Sequence, residues 1–208
     1  MPASLDGPGG WGLRGVAPAL PFAMRAALAN QWLFGPILIH QLAASPVTNA
    51  LIRTTTAPTI IQGGVKENVL PSEASAVVNF RLTPGDTAAQ VKAHVEKTIA
   101  DPNVTVTQYS THSVEATSVA DMDGPGYKFI ADAVRTIAPE AVVTPGLVVT
   151  GTHSKHYSRV SEAAYRFAPM RLTTPDFSRI HGTNERIATA NYGELISFYA
   201  ALVRAAAM

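Results

Sequence analysis

The stretch "ASAVVNFRLTPGD", residues 74–86, alternates and then turns. Ala76, Val78 and Phe80 fall on one side of an extended chain, with Val77, Asn79 and Arg81 on the other. This is the period of two that a strand imposes. "TPGD" supplies turn residues, and either Asp86 or Thr87 can cap a following helix. In "TAAQVKAHVEKTIA", residues 87–100, Val91, Val95 and Ile99 recur at i, i+4 and i+8 as one apolar stripe. Upstream, "ALIRTTTAPTIIQGG" (50–64) is rich in β-branched residues and stops at Gly63 and Gly64. Downstream, "DPN" ends the helix and "VTVTQYS" (104–110) alternates again. Residues 50–110 thus read strand, strand, helix, strand. That is an incomplete α+β sandwich of antiparallel strands covered on one face by a helix.

Working outward, residues 1–15 are rich in Gly and Pro and are expected to be disordered. Leu20 to Ala44 reads as two short helices with an apolar side, broken at Gly35 and Pro36. After a polar stretch, "STHSVEATSVADMDGPG", the helix "YKFIADAVRTIA" stops at Pro139. Two apolar strand-like runs follow, "LVVTG" (147–151) and "AAYRFAPM" (163–170), before a closing helix, "TANYGELISFYAALVRAAA". This second half reads α/β, with too few strands to cover both faces of a sheet.

Composition narrows the function classes. At 208 residues, with 47% apolar residues and a net charge of +1, the chain can bury a core and is no bulk-charge nucleic-acid binder. It has no cysteine, which excludes disulfides, thiolate metal sites and cysteine nucleophiles. The uncharged run from Ala26 to Ile52 contains Asn30, Gln31, Pro36, His40, Gln41 and Asn49, so buried or interface helices suit it better than a bilayer span. No signal peptide is visible in "MPASLDGPGGWGLRG", and the reading leans to the cytoplasm.

Three places carry chemistry. "FSRIHGTNERI" (177–187) sets His181 in a segment between a strand-like run and a helix. The imidazole there serves either as a metal ligand or as a half-buried group bonded to backbone, and no HExxH or HxH accompanies it. "TGTHSKHY" (150–157) puts Ser154 between His153 and His156, candidates for a serine–histidine site, yet without a GxSxG elbow. Arg81 shares a strand face with Asn79, either on a solvated sheet surface or as an anion grip, with Asn68 of "KENVLP" able to reach the same face.

Taken together, these segments resemble a known family. "NALIRTTTAPTIIQGGVKENVLPSEASAVVNFRLTPGD" resembles the dimerisation (lid) domain of the dinuclear-zinc metallohydrolases that include aminoacylase, carboxypeptidase S, acetylornithine deacetylase and succinyl-diaminopimelate desuccinylase. "YRFAPMRLTTPDFSRIHGTNERI" resembles the end of their catalytic domain, nearest the carboxypeptidase S and N-acyl-amino-acid hydrolase branch. The resemblance implies a zinc-ligand role for His181 and substrate binding by Asn68, Arg81, Gly151 and Thr152. It implies hydrolysis of an amide beside a free carboxylate, with zinc as cofactor, a carboxylate-bearing small molecule as substrate, and a homodimer formed through the lid.

The family pattern also exposes departures. His153 stands where the family usually has an aspartate. The HxD motif, the bridging aspartate, the paired glutamates and the remaining carboxylate ligand have no counterpart in the chain, and the lid histidine is expected to lie upstream of residue 1. His40, His94, His112 and His156 match no family ligand. The organisation expected is a disordered leader (1–19), an apolar helical segment (20–48), a partial lid domain (49–115) and the C-terminal part of an α/β zinc-hydrolase catalytic domain (116–208). A truncated chain, inactive by the family mechanism, is the leading expectation. A self-associating or carboxylate-binding module and a metal-independent serine–histidine hydrolase are the alternatives. Neither a nucleic acid nor a membrane is an expected partner.

Overall fold

The computed structural model describes residues 1–109 and 115–207. His112 and Ser110 lie outside the described residues. Among those described, eight α-helices accompany one two-stranded antiparallel sheet. The class is therefore mixed α/β, with the incomplete lid sandwich that the alternation of residues 74–81 announces. The chain forms two compact units, Met1–Ser118 with Pro145–Gly151, and Val119–Thr144 with Thr152–Met208.

The first unit opens with helix α1 (Pro8–Val16), where disorder was expected. Pro8 sits at the first helical turn, a position that needs no N–H. Gly9 lets the helix approach α4 (Pro46–Ile52): a Cβ at that position would lie 1.8 Å from the Leu51 carbonyl oxygen. Close packing, not local propensity, folds the leader. Helices α2 (Phe22–Ala29) and α3 (Gln31–Ala43) follow, and α3 runs through Gly35 and Pro36 without the expected break. No helix among the described residues is long and apolar enough to cross a membrane.

Strands β1 (Thr55–Gly63) and β2 (Ala74–Arg81) pair from Thr55↔Arg81 to Gly63↔Ala74. The register shifts between Pro58 and Ile60, where a proline cannot donate to the ladder. Thr54, 3% exposed, fastens the open end of the hairpin. Its hydroxyl donates to Asp86 Oδ2 at 2.5 Å and accepts the Thr83 N–H at 2.9 Å. Helix α5 (Ala88–Ile99) begins at Thr87, which closes a reciprocal capping box with Gln90. Val91 of the predicted stripe is buried.

Three predicted strands are absent among the described residues. Residues 104–109, 147–151 and 163–170 carry no ladder, and β1 and β2 are the only paired strands among the described residues. Alternation fixes which way side chains point, but a strand forms only where its backbone joins a ladder, and none of these runs docks on either open edge of the sheet among the described residues.

In the second unit, α6 (Pro125–Ile137) packs against α8 (Thr189–Ala206). Phe198, Ala133 and Val134 are buried there, with Ile130, Ile137, Val143, Ala201 and Leu202 against them. The Phe167 ring lies 5.4 Å from that of Phe198. Asn191, 4% exposed, ties the preceding loop to α8. Its Oδ1 accepts the Arg171 N–H, while its Nδ2 donates to the Pro169 carbonyl and to Glu194, each at 2.9 Å. Arg171 also bonds Glu194 at 2.8 Å, and this hydrogen bond, followed by that of Asn191, holds the Glu194 carboxyl below its ordinary range.

Candidate carboxylate site and the histidine loop

Arg81 ends β2 at the open end of the hairpin, beside the Thr54–Asp86–Thr83 clasp. It is exposed and takes part in none of the ion pairs among the described residues. The backbone of Gly151 runs alongside it: a Cβ there would sit 3.7 Å from Arg81 Nη1, in ordinary contact. Two of the four substrate-binding candidates are thus brought together. A guanidinium offering a planar fork of N–H groups to solvent is suited to a carboxylate.

Asn68 is placed differently. It lies in the loop between β1 and β2, beyond the Gly63↔Ala74 pair, at the opposite end of the hairpin from Arg81. At roughly 3.3 Å per residue, the strand alone separates the two ends by about 23 Å. The register therefore gives no support to Asn68 and Arg81 sharing a small ligand within one molecule. The proximity suggested by sequence reverses once the hairpin folds back.

The "TGTHSKHY" segment also resolves. Thr152 caps a 3-10 helix over His153–Arg159 by accepting the Ser154 N–H. The Ser154 hydroxyl lies 2.5 Å from Thr152 Oγ1 and accepts the Arg166 Nε–H at 2.5 Å. His153 and His156 face one another with ring centres 6.5 Å apart, and neither bonds to Ser154 among the described residues. Among the described residues the Ser154 hydroxyl meets a guanidinium and a threonine hydroxyl, and no base bonds to it. Sequence reasoning missed Arg166, because nothing local links it to a residue twelve positions earlier.

His181 occupies a conformation that L-residues seldom adopt. Its φ is 58°, and Asn184, three residues on, has φ 63°. Backbone held in the left-handed region costs energy and persists where surrounding contacts fix it. Here the contacts lie just upstream. Thr173 and Asp176 close a capping box at α7 (Thr174–Phe177), and Arg179 pairs with Asp176 at 2.7 Å. The Thr173 hydroxyl and N–H together hold the Asp176 carboxyl below its usual range. Gly182 donates to the Arg179 carbonyl at 2.8 Å, and a Cβ there would lie 3.0 Å from the Ser178 oxygen. His181 is exposed on this loop.

The described residues contain no group of three His, Cys, Asp or Glu side chains able to share a metal. A catalytic zinc takes three protein ligands, so a single imidazole on an exposed loop does not fit that centre.

Comparison with known proteins gives the context. The peptidase dimerisation domain family matches residues 20–107. The chain is 35% identical over 184 residues to N-fatty-acyl-amino acid synthase/hydrolase PM20D1 of Mus musculus, covering 88% of this chain and 37% of that protein. It is 39% identical over 189 residues to PM20D1.1 of Danio rerio, covering 91% and 37% respectively. With the probable carboxypeptidase S-like 2 of Dictyostelium discoideum it shares 36% identity over 186 residues, covering 89% and 35%. The chain thus spans 35–37% of the length of these relatives. No solved structure matches it. The chain thus carries a match to the peptidase dimerisation domain, and over most of its length it is similar to part of N-fatty-acyl-amino acid synthase/hydrolase and carboxypeptidase S-like proteins.

Proposed function

We propose that this chain recognises the free carboxylate of N-acyl amino acids through Arg81, as the recognition and association portion of a hydrolase acting on the neighbouring amide. The observation that carries the reading is the exposed Arg81 guanidinium, unpaired among the described ion pairs and flanked by the Gly151 backbone. A fork of donors at the end of a pinned hairpin costs little reorganisation on binding. Because the described residues do not fit a zinc centre, no hydrolytic step is assigned to this chain's own side chains. Calorimetric titration with N-acetyl-leucine tests the reading. Arg81→Gln is expected to weaken binding by about tenfold, the scale of one charge-assisted contact. Unchanged binding would refute the assignment.

Self-association is the second part of the reading, favoured by the sheet. Both of its edges are unpaired among the described strands, and its faces expose Ile60 (42%), Ile61 (79%) and Val78 (36%). Two-stranded sheets in water are marginal alone, and open edges invite pairing. The expected state is a homodimer joined through this hairpin. Sedimentation velocity on Ile61→Lys should show a shift toward monomer, and a wild-type monomer at all concentrations would contradict the proposal.

A further inference from the structure

Arg53 follows α4 with an extended backbone, φ −158° and ψ 161°. The next residue, Thr54, turns its side chain inward to Asp86. Successive side chains of an extended chain point to opposite faces, so Arg53 and Thr55 face away from Thr54. Thr55 is the cross-strand partner of Arg81, and directly opposed residues project from the same face. Arg53 thus lies two residues before the last ladder pair, at the Arg81 end of the hairpin. At about 3.3 Å per residue, Arg53 is within about 7 Å of Thr55 along the chain, close enough for two arginine side chains to converge on one ligand.

The surroundings leave both cations uncompensated among the described residues. Arg53 Nε is fully buried and has no hydrogen-bond partner, and Asn49 Oδ1, one helical turn earlier, is buried and unpaired as well. Asp86 serves Thr54 on the other face. Glu67 and Glu73 flank the far-end loop, and Glu115 accepts the Ala88 N–H. A buried donor left unpaired is costly, and two like charges on one face repel until an anion joins them.

We infer that Arg53 is a second cation of the Arg81 site, so that a ligand carboxylate is held between two guanidinium groups. The inference rests on the carboxylate reading of Arg81 and adds a residue that sets selectivity for charge. A neutral amide isostere offers no anion to the pair, so discrimination between acid and amide is the property that Arg53 sharpens.

The test compares N-acetyl-leucine with N-acetyl-leucinamide by calorimetry on the wild-type chain, Arg53→Gln, Arg53→Lys and Arg81→Gln, with thermal melting of each. Arg53→Gln is expected to weaken binding of the acid by about tenfold and leave the amide unchanged. Arg53→Lys should recover part of the loss, since it keeps the charge but not the fork. If Arg81→Gln abolishes discrimination while Arg53→Gln does not, the inference fails and the carboxylate reading stands. If neither variant alters discrimination, that reading fails too. An equal loss for acid and amide with a lowered melting temperature would make Arg53 structural and overturn the inference.

Discussion

Phe198→Ala is expected to destabilise the α6–α8 unit by about 3–5 kcal/mol, the range for emptying an aromatic site in a packed core. Phe198 is 1% exposed, the largest fully buried side chain among the described residues. It touches Ala133 and Val134 on α6, and its ring meets Phe167 at 5.4 Å and Tyr199 at 5.1 Å. Its buried neighbours Ala133 and Val134 are small, so they fill little of the space that the ring leaves. Denaturant unfolding combined with hydrogen exchange at α6 and α8 amides would measure the effect, since a chain of two units need not unfold in one step. A loss below about 1 kcal/mol would mean that the helices do not share this core.

Asn191→Leu is expected to cost about 2–4 kcal/mol through a different mechanism. Leucine fits the volume but strands the Arg171 N–H and the Pro169 carbonyl, both of which bond Asn191 in the native fold. Glu194 loses a donor as well and keeps only Arg171. The loop from 169 to 171 should then detach from α8, with faster amide exchange at Arg171 while the α6–α8 core remains protected. Retained protection at Arg171 would show that the amide clip is dispensable.

What could be read in advance follows the range of the physical signal. The alternation of residues 74–81 and the cap at Thr87 are local, and both appear as strand and capping box. The runs at 104–109, 147–151 and 163–170 carry a strand-like local texture but join no ladder among the described residues, and whether a run docks on an edge is not a property of the single segment. Helix α1 inverts the case: its Gly-rich sequence looks disordered, yet Gly9 and Gly10 fold because they fit against Leu51 and Leu5. The site behaves alike. Arg81 was legible from a strand face, whereas Arg53 becomes its neighbour only through the Thr55↔Arg81 register. Asn68 shows the converse, since the same register carries it to the far end of the hairpin. The left-handed backbone of His181 has no sequence signature beyond the glycine that follows it.

The most direct measurement is a calorimetric titration of the unaltered chain with N-acetyl-leucine and N-acetyl-leucinamide, with bound zinc and amide hydrolysis quantified in the same samples. The acid is expected to bind more tightly than the amide, without zinc and without turnover. Equal binding of acid and amide, or hydrolysis that rises in step with bound zinc, would contradict it.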